Sequence, residues 1–255
     1  MTPVSVTPRA RAVSSTSWVP RSDGIESKPL HGAMRGGVSG GTVASMLGLV
    51  ETATHDRAAR RVLGDPYALT GGRRGTDRDR LAPGYYAPAG LPTAPFVMAA
   101  INSRVVRRSR LLLDDAPVET FRYDERMSVP ASPGGAVAAL AVSAGLAALP
   151  LLAAWPTARA LLRKRVPAGT GPSPEAQARG KFALRLFGET STGVAVRAEV
   201  RCDDADPGYL GTARMLGETA RCLARDQLPS PGGVTTPAAA MGAILRARLD
   251  AVGIR

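Results

Sequence analysis

The feature that most constrains the fold is a long uncharged segment in the middle of the chain. From Met127 to Ala158 the sequence contains no Asp, Glu, Lys or Arg. Its central part, Ala136–Trp155, consists mainly of Ala, Leu and Val and is interrupted by Pro150. This part reaches the length of roughly 20 apolar residues that a helix needs to cross a bilayer. The segment therefore predicts one long apolar helical element.

The same segment leaves three placements open. An interfacial or re-entrant helical hairpin, kinked at Pro150, would hold Trp155 and the basic residues after it at lipid headgroups. A buried helix or an apolar contact between two copies is the second placement. A membrane-spanning helix is the third, and it is the least favoured because alanine adds little to insertion. The basic residues are Arg159, Arg163, Lys164 and Arg165.

Charge and cysteine content limit the class of protein. The net charge is +12, a balance that suits nucleic acid, anionic lipid or an acidic partner. The charge is spread over both halves of the chain, and no nucleic-acid-binding motif accompanies it, so specific nucleic-acid binding is not predicted. Cys202 and Cys222 have no Cys or His at ligand spacing, which argues against a structural metal site and favours two reduced thiols in the cytoplasm.

Hydrophobic periodicity divides the remaining chain into helices and strands. Residues 1–27 are rich in Ser, Thr, Pro and Arg and predict a disordered or non-native lead-in. Helices are predicted at 43–62, 94–113, 209–224 and from Pro237, strands at 121–123, 181–187 and 194–201, and a loop at 71–93. These elements indicate an α+β fold with a small mixed or antiparallel sheet and packed helices.

A glycine-rich run precedes the first predicted helix. The order of residues from Gly36 to Thr42, Gly-Gly-Val-Ser-Gly-Gly-Thr, matches neither the dinucleotide-binding fingerprint nor the phosphate loop of nucleotide hydrolases. Backbone N–H groups at the start of a helix can still face an anion. A tight corner between a strand and a helix, at which a neighbour packs closely, explains the same residues. Gly36, Ser39, Gly40, Gly41 and Thr42 are therefore only weak candidates for a cofactor site.

The second predicted helix carries the candidates for a substrate cleft. Arginines dominate its polar side, where planar guanidinium groups could bind a phosphate or an acidic carrier protein, or could be solvated. Asn102 lies beside the apolar stripe of Ile101 and Val105, and a polar group there requires a partner. Asn102 and Arg107 are the candidates for the cleft. The carboxylates between Asp203 and Asp206 are interpreted as hairpin or capping residues, and no catalytic residue is identified.

Several blocks of sequence, taken in order, resemble one family. The blocks are Arg35–Thr42 (RGGVSGGT), Asp65–Leu69 (DPYAL), Ala94–Ser109 (APFVMAAINSRVVRRS), Asp206–Tyr209 (DPGY) and Gly232–Gly242 (GGVTTPAAAMG). They are similar to the C-terminal part of the saccharopine dehydrogenase-like oxidoreductases, within which they resemble the actinobacterial trans-acting enoyl reductases. The resemblance extends from about Ala33 to Gly253.

This resemblance implies a domain organisation and an activity. Residues 28–255, including the apolar segment 136–155, would be the C-terminal domain, which serves substrate closure or dimerisation. The N-terminal domain that binds NADP or NAD has no counterpart here, which suggests a truncated chain or a separate partner. The implied reaction is the NAD(P)H-dependent reduction of enoyl lipid or polyketide intermediates in the cytoplasm or at the inner membrane face, by a possible homodimer. The alternative is a non-enzymatic membrane-surface or scaffold protein.

Overall fold

The computed structural model describes residues 11–17, 40–87, 90–113, 121–165, 171–189, 195–230 and 232–255. Within these ranges the chain forms six strands and eight helices. The strands are β1 (Arg11–Ser17), β2 (Gly84–Tyr86), β3 (Leu91–Pro95), β4 (Arg122–Ser128), β5 (Phe182–Glu189) and β6 (Ala195–Cys202). The helices are α1 (Gly40–His55), α2 (Arg57–Gly64), α3 (Ala99–Leu112), α4 (Pro133–Ala154), α5 (Pro156–Arg165), α6 (Pro174–Ala178), α7 (Leu210–Arg225) and α8 (Pro237–Ala251).

The strands lie in the order β2-β3-β4-β1-β5-β6. Two antiparallel units, β2-β3-β4 and β5-β6, are joined by β1, which runs parallel to β4 and antiparallel to β5. Val13, for example, lies opposite Asp124 in β4 and Phe187 in β5. The α+β class, with a small mixed sheet and one long apolar helix, is confirmed.

The central strand β1 lies inside residues 1–27, where the sequence analysis predicts a lead-in without regular structure. Its sequence, Arg-Ala-Val-Ser-Ser-Thr-Ser, has few apolar side chains and so gives no alternating pattern. Backbone N–H and C=O groups pair along both of its edges, and that pairing does not depend on the side chains. The rest of residues 1–27 lies outside the described part of the chain.

The helix α4 packs against the sheet along one narrow stripe. Ala139 is 4% exposed and forms an apolar cluster with Ala94 of β3 and Val129, next to Met127 and Val142. Ser132 caps the helix by accepting a hydrogen bond from the N–H of Gly135 at 3.2 Å. The rest of α4 is largely exposed to solvent, because only 11% of its most apolar stretch of 18 residues is buried. The placement as a buried core helix is therefore wrong for most of α4.

The chain does not leave the helical conformation at Pro150, where the sequence analysis places the kink of a helical hairpin. The helix α4 continues through Pro150 to Ala154, and the backbone leaves the helical conformation at Trp155, before Pro156 starts α5. Proline at this position removes the N–H that would bond the carbonyl oxygen of Leu146 and crowds that carbonyl, and α4 ends about one turn later. By length and composition alone, α4 is the one helix of the described residues that is able to cross a bilayer.

Other boundaries shift for local reasons. The predicted helix 43–62 is divided at Asp56, whose carboxylate accepts hydrogen bonds from the N–H groups of Ala58 and Ala59 and so starts α2. The first residues of the predicted helix 94–113 belong instead to β3, which ends at Pro95. Thr236 caps α8, as predicted from the threonine before Pro237. Both cysteines are buried and carry free thiols.

Candidate functional site

Helix α3 turns a polar side toward the sheet. Ser103 and Arg107 are its buried residues, whereas Ile101 and Val105 are 41% and 38% exposed. This orientation is the reverse of the usual amphipathic arrangement, in which the apolar stripe faces the core. A solvated arginine face is therefore wrong for Arg107, which is 1% exposed.

Arg107 is enclosed by the loop after α2 and by β4. Its guanidinium donates hydrogen bonds to the carbonyl oxygens of Pro66 at 3.0 Å and Tyr123 at 3.3 Å. It lies 3.6 Å from Oδ2 of Asp77 and 4.9 Å from the centre of the Tyr67 ring. A buried guanidinium is stabilised by such paired and hydrogen-bonded contacts. We refer to Arg107, Tyr67, Asp77 and Tyr123 as the Arg107 cluster.

The carboxylate of Asp77 connects the cluster internally. Its Oδ2 accepts a hydrogen bond from the N–H of Tyr123 at 2.6 Å, and the N–H of Asp77 donates to the hydroxyl of Tyr67 at 3.0 Å. Nε of Arg107 is buried and has no hydrogen-bond partner among the described residues. The other nitrogens of the guanidinium therefore carry its hydrogen bonds.

A surface cleft of about 690 Å³ lies over this cluster. Its lining residues are Gly64, Pro66, Tyr67, Arg74, Gly75, Thr76, Asp77, Arg78 and Asp79. Arg104 of α3 fixes one wall, because its guanidinium lies 3.1 Å from Asp79 and donates to the carbonyl oxygen of Asp65 at 3.0 Å. Arg107 supports the floor through Pro66, Tyr67 and Asp77. The mixed charges of the lining suit a polar ligand better than an alkyl chain.

A second buried polar group, Glu125, lies two residues after Tyr123 on the same face of β4. Glu125 is 6% exposed and accepts hydrogen bonds from the Tyr123 hydroxyl at 2.7 Å and from the Asn102 amide at 2.9 Å. Burial raises the pKa of the Glu125 carboxyl, and the two donors oppose that rise. Asn102 therefore has its partner within the protein, as the sequence analysis requires of a polar group at that position.

Glu125→Gln is expected to change the pH dependence of stability. Because the folded-state pKa of Glu125 lies above its ordinary value of 4.5, the folded protein binds its proton more tightly than the unfolded chain. The wild type should then lose stability relative to the variant as the pH rises above the ordinary glutamate range. Urea unfolding of both proteins from acidic to neutral pH measures this difference. A difference in the free energy of unfolding between wild type and Glu125→Gln that stays constant with pH would contradict the burial of an ionisable Glu125. An equal pH dependence in the exposed control Glu199→Gln would contradict it as well.

The structure does not bring the two groups of predicted site residues together. Gly40, Gly41 and Thr42 form the first turn of α1, which packs against α2, α4 and α5. Asn102 and Arg107 contact β4 and the loop after α2 instead. Gly36 and Ser39 lie outside the described residues. The assignment of any of these residues to a cofactor or substrate stays a prediction.

Sequence reasoning missed the residues of the Arg107 cluster on β4 and in the loop. One signal was present: Tyr123 and Glu125 alternate with Asp124 and Arg126, and polar residues in a central strand require partners. The predicted strand covers 121–123, whereas β4 extends from Arg122 to Ser128. Asp77 gave no signal, since it lies in a polar stretch rich in Gly and Arg.

No family model and no solved structure matches the chain. A protein of Mycobacterium tuberculosis H37Rv, provisionally named a trans-acting enoyl reductase, is 43% identical over 244 residues, which cover 87% of this chain and 56% of that protein. A trans-acting enoyl reductase of the same strain is 37% identical over 232 residues, or 85% and 55% of the two chains. The trans-acting enoyl reductase of Mycobacterium ulcerans Agy99 is 37% identical over 238 residues, with the same coverage. Most of this chain is thus homologous to a segment of each relative, and that segment makes up slightly more than half of the relative's length. These relatives are named trans-acting enoyl reductases.

Proposed function

We propose that the chain is the substrate-side part of an enoyl reductase that acts on lipid or polyketide intermediates. The observation that carries this proposal is the identity of 37–43% to proteins named trans-acting enoyl reductases along 85–87% of the chain. Because the chain spans about half the length of those relatives, the complete activity is proposed only together with the part that it does not cover. The blocks that resemble saccharopine dehydrogenase-like oxidoreductases support the same assignment.

Enoyl reduction adds a hydride to one alkene carbon and a proton to the other. A nicotinamide cofactor, NADP or NAD, supplies the hydride when it is bound. The described residues do not fit a site for this cofactor. A dinucleotide-binding turn needs an acidic residue about 20 positions after its glycines, yet Asp56 caps α2 and Asp65 pairs with Arg74 at 2.8 Å. We therefore assign cofactor binding to the region of the relatives that this chain does not cover.

This division gives the chain the role of binding and orienting the substrate. The cleft over the Arg107 cluster presents Arg78, Thr76 and the backbone of Gly75, which are suited to the polar part of a carrier-bound substrate. Buried Arg107 contacts Pro66, Tyr67 and Asp77 of the lining, so this part of the cleft is preorganised.

A chimera tests the proposal. The segment of the Mycobacterium tuberculosis relative that aligns with this chain is replaced by residues 33–253, and NADPH oxidation is followed with an enoyl thioester that the full-length relative reduces. We expect the chimera to reduce the thioester, and we expect the chain alone to leave NADPH fluorescence unchanged. A folded chimera that binds NADPH but does not reduce the thioester would overturn the proposal. NADPH binding by the chain alone would overturn the assignment of the cofactor site.

A further inference from the structure

Helix α4 exposes an apolar face along its whole length. Val137, Leu140 and Leu151 are 66%, 60% and 76% exposed, and Trp155 at its end is 64% exposed. The alanines between them, at 141, 144 and 147, are exposed as well. Positions three or four residues apart share one side of a helix, so these side chains form a continuous stripe. We call this stripe, with Trp155, the α4 outer face; contiguous apolar surface of this kind marks an interaction site.

The opposite side of α4 is fixed on the protein. Ala139 and Val142 pack with Ala94 and Val129 beside the sheet, and α1 lies against α4 as well. Lipid on all sides of α4 would require these contacts to be broken. The α4 outer face is therefore available to a partner from one side only, which is the geometry of a helix lying on a surface and not of one crossing a bilayer.

The charges that follow this face along the sequence are all positive. Between Arg126 and Pro174 the sequence contains no Asp or Glu. Helix α5 follows directly after Trp155 and ends with Lys164 and Arg165, which are both exposed. Arg159, by contrast, lies 3.3 Å from Glu51 of α1, and this contact ties α5 to the body of the protein. An apolar helix face, an exposed tryptophan and exposed cations thus follow one another along the chain.

We propose that α4 and α5 dock this protein on an anionic phospholipid bilayer. The α4 outer face enters the boundary between headgroups and acyl chains, Trp155 lies at headgroup level, and Lys164 and Arg165 contact lipid phosphates. Each part has a physical reason: apolar area supplies insertion, tryptophan prefers the interface, and cations are attracted to anionic lipid. A second copy of the chain would use the apolar stripe but would give no role to the cations. The proposal is independent of the enoyl reductase function.

Flotation with vesicles tests the docking surface. The full chain is mixed with vesicles of phosphatidylcholine alone or with phosphatidylglycerol added. We expect flotation with the anionic vesicles and its loss as salt is raised, because salt screens exposed charges. In Trp18→Phe, Trp155 is the single tryptophan, and its emission should shift to the blue and be quenched by lipids brominated on the acyl chain. Failure to float with anionic vesicles at low salt, or an unchanged Trp155 emission, would overturn the proposal.

Matched variants distinguish binding through this surface from nonspecific hydrophobic binding to vesicles. Leu140→Glu and Leu151→Glu should each weaken vesicle binding about tenfold, the effect of withholding one leucine from the apolar phase. Leu216→Glu on α7 is the control, since Leu216 is also exposed, at 68%.

The double variant Lys164→Glu/Arg165→Glu should abolish the preference for anionic vesicles, while the exposed Lys181→Glu should keep it. Equal losses of vesicle binding in the test and control variants would contradict the assignment. It would also be contradicted if the protein formed a dimer that Leu140→Glu dissociates while flotation stays unchanged.

Discussion

Replacing Arg107 with alanine is expected to lower the free energy of unfolding by about 3–5 kcal/mol, the cost of removing one partner of a buried ion pair. The side chain is 1% exposed, so no water replaces its contacts without rearrangement. The variant would leave the Asp77 carboxylate without its cation, and would remove the Arg107 donor from two carbonyl oxygens, those of Pro66 and Tyr123. It would also open a cavity beneath Tyr67, adding a packing loss.

Urea unfolding of wild type and variants measures this effect. Arg74→Ala is the matched control: Arg74 also pairs with an aspartate of the same region, but its side chain is 59% exposed, so we expect a much smaller loss of stability. Arg107→Met keeps much of the volume and none of the polar contacts, and it should lose nearly as much stability as alanine. A loss for Arg107→Ala no larger than that for Arg74→Ala would contradict the structural role of the buried guanidinium.

The elements that sequence predicted well are those with strong local signals. An uncharged stretch as long as Ala136–Trp155 specifies a helix by itself, and α4 covers nearly the same residues. Alternation predicts β5 and β6 to within about two residues, and the threonine before Pro237 predicts the start of α8. In each case the information lies within a few neighbouring positions.

The orientation of α3 could not be predicted because its partners are distant in sequence. Arg107 contacts Pro66, and Asn102 contacts Glu125, at separations of 41 and 23 residues. A periodicity argument assigns arginine to the solvent and Ile101 to the core, since it considers residue type without partners. Buried polar groups reverse that assignment once carbonyl and carboxylate groups of another segment satisfy them. The candidate site, built from these contacts, was therefore visible only in part from sequence.

Asp206→Ala is expected to destabilise the protein by about 2–4 kcal/mol, more than an ordinary helix cap, because three hydrogen bonds to one buried carboxylate are lost. Its Oδ2 accepts from the N–H groups of Gly208 and Tyr209 at 3.0 and 2.9 Å, and its Oδ1 accepts from Leu210 at 2.8 Å. These are free donors at the start of α7, where a negative charge is also favoured by the helix dipole. The sequence analysis interprets this aspartate as a hairpin or a capping residue, and these contacts favour the capping role.

A graded series decides whether the carboxylate itself stabilises α7. Asp206→Asn keeps one oxygen acceptor in place of two and no charge, so its loss of stability should fall between wild type and alanine. Asp203→Ala is the control, because Asp203 is 56% exposed and should change stability by no more than about 0.5 kcal/mol. Thermal unfolding followed by circular dichroism ranks the variants.

Because the backbone of Asp206 also packs against Gly180, at a separation that leaves no room for a Cβ there, the loop is held independently of its carboxylate. If that packing alone positioned α7, Asp206→Ala would rank with Asp203→Ala, and the capping role would be refuted.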